Sequence, residues 1–224
     1  MKRFKGYRLL LSVALALAVG LLLAVAAPGF AGGGSQHTTS DVYWFDPFPT
    51  AGDRVDGASA SLVTNEAGAT MRIQTSGLTP GDAVTIWWVI FNNPEACAGY
   101  PNAACTMADL MGNTAAVGAE VTYATGNVIG GSGKGNFAAH LAPGHTTQEW
   151  FGNGFTNPTG AEIHLVVHTH GQKIPGLVDE MIGTYRAGCH DDAFINDSHP
   201  AHDDGTPGPN QCIDLQFAIL RQGS

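Results

Sequence analysis

Charge is what this sequence has least of: Asp, Glu, Lys and Arg together make up 13% of its 224 residues. So small a charged fraction excludes a polyelectrolyte tail and a salt-bridged coiled coil. Basic residues are the scarcer sign, 10 against 19 acidic ones, and a formal charge of −9 argues against a protein that grips nucleic acid through a basic face. Cysteine occurs four times and never as C-x-x-C, so neither a redox motif nor a zinc ribbon is indicated. H-E-x-x-H and G-x-S-x-G are also missing, which removes the usual marks of a zinc peptidase and of an α/β-hydrolase. Glycine (30) and proline (12) are abundant instead, beside 44% hydrophobic residues, enough for one core interrupted by many turns.

The N-terminus has the form of an export signal. Lys2, Arg3, Lys5 and Arg8 precede an uncharged run, Leu9–Ala27, then Pro28 and the small-residue site Gly29-Phe30-Ala31. Residues 1–31 are expected to be the signal peptide, with cleavage after Ala31. The 19-residue run is long for such a segment, so an uncleaved N-terminal anchor is the alternative. Cleavage removes four basic residues and no acidic one, leaving 6 against 19, a formal −13. No membrane span is expected after that point, and no nucleic-acid partner. The expected location is secreted, extracellular or periplasmic.

The cysteines agree with export, since an even number in an oxidising compartment suggests disulfides. Four cysteines allow three pairings. Local pairing, Cys97–Cys105 and Cys189–Cys212, fits best because each bond would staple one polar loop between strands.

Residues 32–40 read as a flexible Gly/Ser/Thr linker and 41–224 as a single domain. Short stretches of strand character follow: Val42–Phe45, Ala60–Thr64, Thr70–Ser76, Ala83–Phe91, Glu120–Thr125, Asn136–Leu141, Glu162–His170 and Ile213–Leu220. Only Cys105–Gly112 suggests a short helix. About eight strands with long connections predict an all-β antiparallel sandwich or Greek-key barrel. Gly77–Asp82 is expected to close a hairpin between Thr70–Ser76 and Ala83–Phe91, and Gly126–Gly135 to form another turn. Ala83–Phe91 is apolar on both faces and should lie centrally, with Trp87 and Trp88 pointing to opposite sides.

The run Gly77-Leu78-Thr79-Pro80-Gly81 before a long strand resembles a segment of Cu/Zn superoxide dismutases and of chordin-like (CHRD) domains. Glu162–His170, the turn at Pro175-Gly176 and Met181–Tyr185 also resemble CHRD domains. The run Trp-Trp-Val-Ile-Phe-Asn-Asn-Pro from Trp87, with the His-rich strand, is similar to a group of secreted bacterial proteins. The first two resemblances imply an antiparallel β-sandwich or barrel. They do not imply dismutase chemistry, because Ile86 and Trp88 stand where those enzymes carry the H-x-H copper ligands, and neither side chain can replace them.

Two clusters carry the remaining chemistry. Glu162, His164, Val166, His168 and His170 alternate along one strand and so share a face, with Ile163, Leu165 and Val167 on the core side. His168 and His170 lie about 6.6 Å apart along a strand, close enough for one zinc or copper ion, whereas His164 is too far from both to serve as a third ligand. A further ligand would have to come from His140, His190, His199 or His202. The second cluster is the segment from His190 to Asp204, with three His and five Asp, including His199 and His202. It matches neither a calcium-binding EF-hand loop nor a zinc finger. The plainer readings are a solvent-facing row of neutral imidazoles and a solvated acidic loop, and the sequence favours both.

Gly130–Gly135 superficially resembles a phosphate loop but lacks the required first glycine and Ser/Thr, and a hairpin turn explains it. Trp87-Trp88, Tyr43-Trp44-Phe45 and Trp150-Phe151 raise carbohydrate binding, although core packing is the commoner use of such residues. The reading reached is an exported, non-catalytic β-sandwich serving as a binding or structural module, with no catalytic residue assigned. A metal protein built on His168, His170, His190, His199 and His202, with zinc or copper, is one alternative, and a carbohydrate-binding module is another.

Overall fold

Strand propensity decides the architecture. The computed structural model describes residues 34–144, 149–190 and 208–222, and from Gly34 onward they belong to one compact unit. These residues form β1 (Gln36–Ser40), β2 (Tyr43–Phe45), β3 (Ala51–Arg54), β4 (Ser59–Asn65), β5 (Gly68–Thr75) and β6 (Asp82–Phe91). After them come β7 (Ala119–Val128), β8 (Gly135–Leu141), β9 (Glu149–Phe151), β10 (Glu162–Gln172) and β11 (Ile213–Leu220). Three short helices, α1 (Met107–Gly112), α2 (Thr114–Val117) and α3 (Val178–Met181), lie in the connections. The strands make two antiparallel sheets, β1-β4-β5-β8 and β3-β2-β11-β10-β6-β7-β9. All eight strands expected from the sequence are present, and β1, β3 and β9 are additional. β3 and β9 are only four and three residues long, too short to show a side-chain period.

The expected linker is a strand instead. Gln36–Ser40 pairs with β4 from Gln36↔Thr64 to Ser40↔Ala60, so the fold begins before residue 41. Its polar side chains suit an edge strand whose alternate residues are exposed. The expected 1–31 signal lies outside the described residues.

The smaller sheet buries one face only. On β5, Met71 and Ile73 are buried while Thr70, Arg72 and Gln74 are exposed. β6 and β10 are buried on both faces along most of their length. Their inner residues, Val84, Ile86, Trp88 and Ile90 with Ile163, Leu165 and Val167, meet Leu62, Met71, Ile73 and Phe137 of the smaller sheet in the main core. Trp87 faces away into a second apolar cluster with Phe91, Val117, Val121 and Tyr185. The larger sheet is therefore the middle layer, covered on its outer side by the connections.

This difference in burial overturns the expected hairpin. β5 pairs with β4 and β8, and β6 pairs with β10 and β7, so Gly77–Asp82 arches from one sheet to the other. The turn expected over Gly126–Gly135 is confined to residues 129–134, since β7 runs to Val128 and β8 starts at Gly135, and it makes the same crossing. The two arches are joined by hydrogen bonds from Leu78 N to Gly133 O (3.1 Å) and from Gly81 N to Ile129 O (2.8 Å). Gly77 has a φ of +75°, and a Cβ there would lie 2.8 Å from Trp44 Cζ2, so backbone conformation and packing both require glycine. The local disulfides form as expected, with S–S distances of 1.98 Å for Cys97–Cys105 and 2.00 Å for Cys189–Cys212.

Candidate functional site

The histidines of β10 do not form a solvent-facing row. His168 and His170 are both fully buried, and His164 is partly buried, its side chain 13% exposed. The outer face of β10 is covered by the segment that runs from α3 through Tyr185, Ala187 and Cys189, which a strand-by-strand sequence reading cannot place. A bulge between Val167 and His168, in the pairing with β11, shifts the register there and sets His168 opposite Asp214. His168 Nδ1 lies 2.8 Å from Asp214 Oδ1, and its ring stacks on Tyr185 at 5.1 Å. The His170 ring meets His168 edge-on at 4.9 Å.

The hydrogen bonds of His170 define its tautomer. The carbonyl of Ala187 can only accept, so Nδ1, 3.0 Å away, carries the proton. Nε2 then accepts from Thr85 Oγ1 at 3.0 Å, and Thr85 Oγ1 in turn accepts from Trp87 Nε1 at 3.0 Å. Burial, reinforced by repulsion from His168 and only partly opposed by the bond to Ala187, lowers the His170 pKa well below its ordinary 6.5. His170 is therefore a neutral, hydrogen-bonded core residue at neutral pH.

Donor atoms of His168, His170, Cys189 and Cys212 all lie within 4.8 Å of one another. The set differs from the one expected from sequence. Both sulfurs belong to the Cys189–Cys212 disulfide, so neither is a thiolate able to hold a metal in this state. His190 is exposed and does not join the cluster, its backbone pairing with Asn210. His140 is on the smaller sheet, bonded to Thr70 Oγ1 at 2.9 Å. His199 and His202, with the rest of the acidic cluster beyond His190, lie outside the described residues. The oxidised cluster does not fit zinc or copper.

The second feature was not foreseen from the sequence. A cleft of about 870 Å³ lies along the outer face of the larger sheet, with Val89, Phe91, Val166, Phe217 and Ile219 among its lining and Met107 and Met111 of α1 on its wall. Phe48, Met111 and Ile213, three large apolar residues that remain substantially exposed, all line it. The helical wall is fixed by a capping box in which Thr106 and Asp109 exchange hydrogen bonds between side chain and backbone. Aromatic residues at the cleft pack on one another: Phe45 stacks on Phe217 at 4.5 Å, and Trp150 on Tyr185 at 4.6 Å. Trp87 and Trp88 are both buried, so neither offers an open ring to a sugar.

Polar groups punctuate this lining, among them Asp214 and His164. Asp214 is held by His168, and His164 Nε2 lies 2.7 Å from Glu162 Oε1. Glu162 is buried and also accepts from Cys105 N at 2.7 Å and pairs with Arg221 Nε at 3.1 Å. Possible nucleophiles beside them are already committed. Cys105 and Cys212 are in disulfides, and Thr106 Oγ1 donates to Asp109. Val166 on the outward face of β10, with Phe217 and Ile219 on that of β11, was the one sequence signal for the cleft. It reads equally as ordinary packing until the covering segments are placed.

No family model, curated protein or solved structure matches this chain. The site's own geometry is therefore the basis for a functional reading.

Proposed function

We propose that this protein is an exported, non-catalytic β-sandwich module that binds an elongated apolar small molecule along the outer face of its larger sheet. The observation that carries the reading is the cleft itself. Its volume of about 870 Å³ falls in the usual range of small-molecule sites, roughly 300–1,000 Å³. Three of the large apolar residues left exposed gather on it, where exposure costs free energy unless a ligand covers them. His164 and Asp214 supply a few polar contacts that would orient a ligand carrying one hydrogen-bonding group. A sugar would need many more such partners than this apolar lining provides, so the carbohydrate reading is not favoured.

Export is supported by the two disulfides and the N-terminal signal pattern. Among the described residues no helix is long and apolar enough to cross a membrane. The test is fluorescence titration with the neutral probe N-phenyl-1-naphthylamine, followed by displacement with alkyl alcohols of increasing chain length. Saturable binding at micromolar probe is expected, with tighter displacement by longer chains. Val166→Arg on the cleft floor and Met111→Glu on its rim should weaken binding about tenfold or more, since a buried charge opposes an apolar ligand. Probe enhancement that is absent, or unchanged in both variants, would refute the proposal.

A further inference from the structure

The Cys189–Cys212 bond sits beside His168 and His170, with all four donor atoms within 4.8 Å of one another. His170 Nδ1 is 3.7 Å from Cys189 Sγ. In a tetrahedral zinc site the nitrogen–sulfur edge is about 3.6 Å, given Zn–S near 2.3 Å and Zn–N near 2.0 Å. Partners that orient metal-bound imidazoles are already in place. Asp214 holds His168 through Nδ1, which assigns ligation to Nε2, and Thr85 stands at Nε2 of His170, ready to accept a proton there when Nδ1 ligates. Cys212 and Asp214 line the apolar cleft, which gives an ion a route inward.

The geometry points to a redox-gated site: reduction of the Cys189–Cys212 disulfide creates a Cys₂His₂ centre, with His168 and His170, for zinc or another ion of similar preference. The disulfide and the metal are alternative occupants of one nest. A dithiol reductant supplies two electrons, breaking the S–S bond and leaving two protein thiols, while it closes to its own disulfide. Metal binding then expels both thiol protons to solvent. In sum, protein disulfide, dithiol and Zn²⁺ give the zinc bis-thiolate, the cyclic disulfide and two protons. Once the bond is broken, the sulfurs must move apart to about 3.8 Å, the edge expected between two zinc-bound thiolates. This inference does not depend on the ligand proposed for the cleft.

The test uses mature protein in two states, oxidised, and reduced with dithiothreitol then freed of reductant under anaerobic conditions. Each is titrated with Co²⁺ and then Zn²⁺. The reduced form should take up one equivalent, with the intense visible bands of tetrahedral cobalt and thiolate charge transfer in the near ultraviolet. The oxidised form should take up less than a tenth of an equivalent. Cys97→Ala/Cys105→Ala should retain the signal, Cys189→Ala/Cys212→Ala should abolish it, and Asp214→Asn should lower affinity about 10–100-fold. Should the reduced chain lose its near-ultraviolet dichroism, the site requires that zinc restore it. The inference is overturned if the reduced protein fails to bind cobalt, binds it octahedrally, or binds it equally well without Cys189 and Cys212.

Discussion

At the scale of single residues, His170 shows how burial decides between a ligand and a core group. Its two nitrogens are occupied by Ala187 and Thr85, and the surrounding protein disfavours its protonated form. The unfolded chain, with the ordinary value of 6.5, takes up a proton at a higher pH than the folded chain does. Stability should therefore be full above about pH 7 and fall as pH drops through 6.5, levelling only below the depressed folded value. Replacing His170 by Asn should cost about 1–3 kcal/mol at pH 7.5 because Thr85 and Ala187 lose their partner. It should also flatten the dependence between pH 7 and 5, as read by urea denaturation at several pH values. An unchanged slope would show that other groups dominate. That pairing was only half legible: alternation put His168 and His170 on one side of β10, yet their burial comes from a segment separated by the turn after Gln172. No local pattern announces that a connection will return over the sheet.

At the scale of elements, the strands were readable because their hydrophobic periods are strong. β5 alternates and β6 does not, and this same contrast explains why the turn between them joins two sheets rather than closing a hairpin. The turn residues specify a reversal of the chain but not which sheet receives it. Gly77→Ala tests the arch directly, since it places a Cβ against Trp44 and forces a left-handed φ on alanine. A loss of about 1–3 kcal/mol is expected in equilibrium unfolding; no loss would mean that Trp44 moves aside freely. β1 was misread for a different reason. Gln36–Ser40 has the composition of a linker, and its order comes from pairing with β4 rather than from burial of its side chains. Composition cannot register backbone hydrogen bonds to a strand some twenty residues away.

For the whole molecule, the two disulfides secure connections that cover the larger sheet, and their loop lengths differ. Removing Cys189–Cys212, which spans 23 residues, should cost about 3.4 kcal/mol, against about 2.5 for Cys97–Cys105, which spans 8. Thermal unfolding of the two double-alanine variants checks that order, and the reverse order would place the stabilisation in local packing. The sandwich itself followed from alternating strands, short turns and low charge. The cleft did not, because it arises where α1, the 45–49 turn and β11 leave the outer face incompletely covered. The most direct test of the account is methyl-resolved NMR of the mature protein titrated with dodecanol. Val89, Val166 and Ile219 should shift and saturate together, while Leu62, Met71 and Ile73 in the main core remain in place. Shifts confined to the main core, or none at millimolar ligand, would contradict a binding site on the outer face.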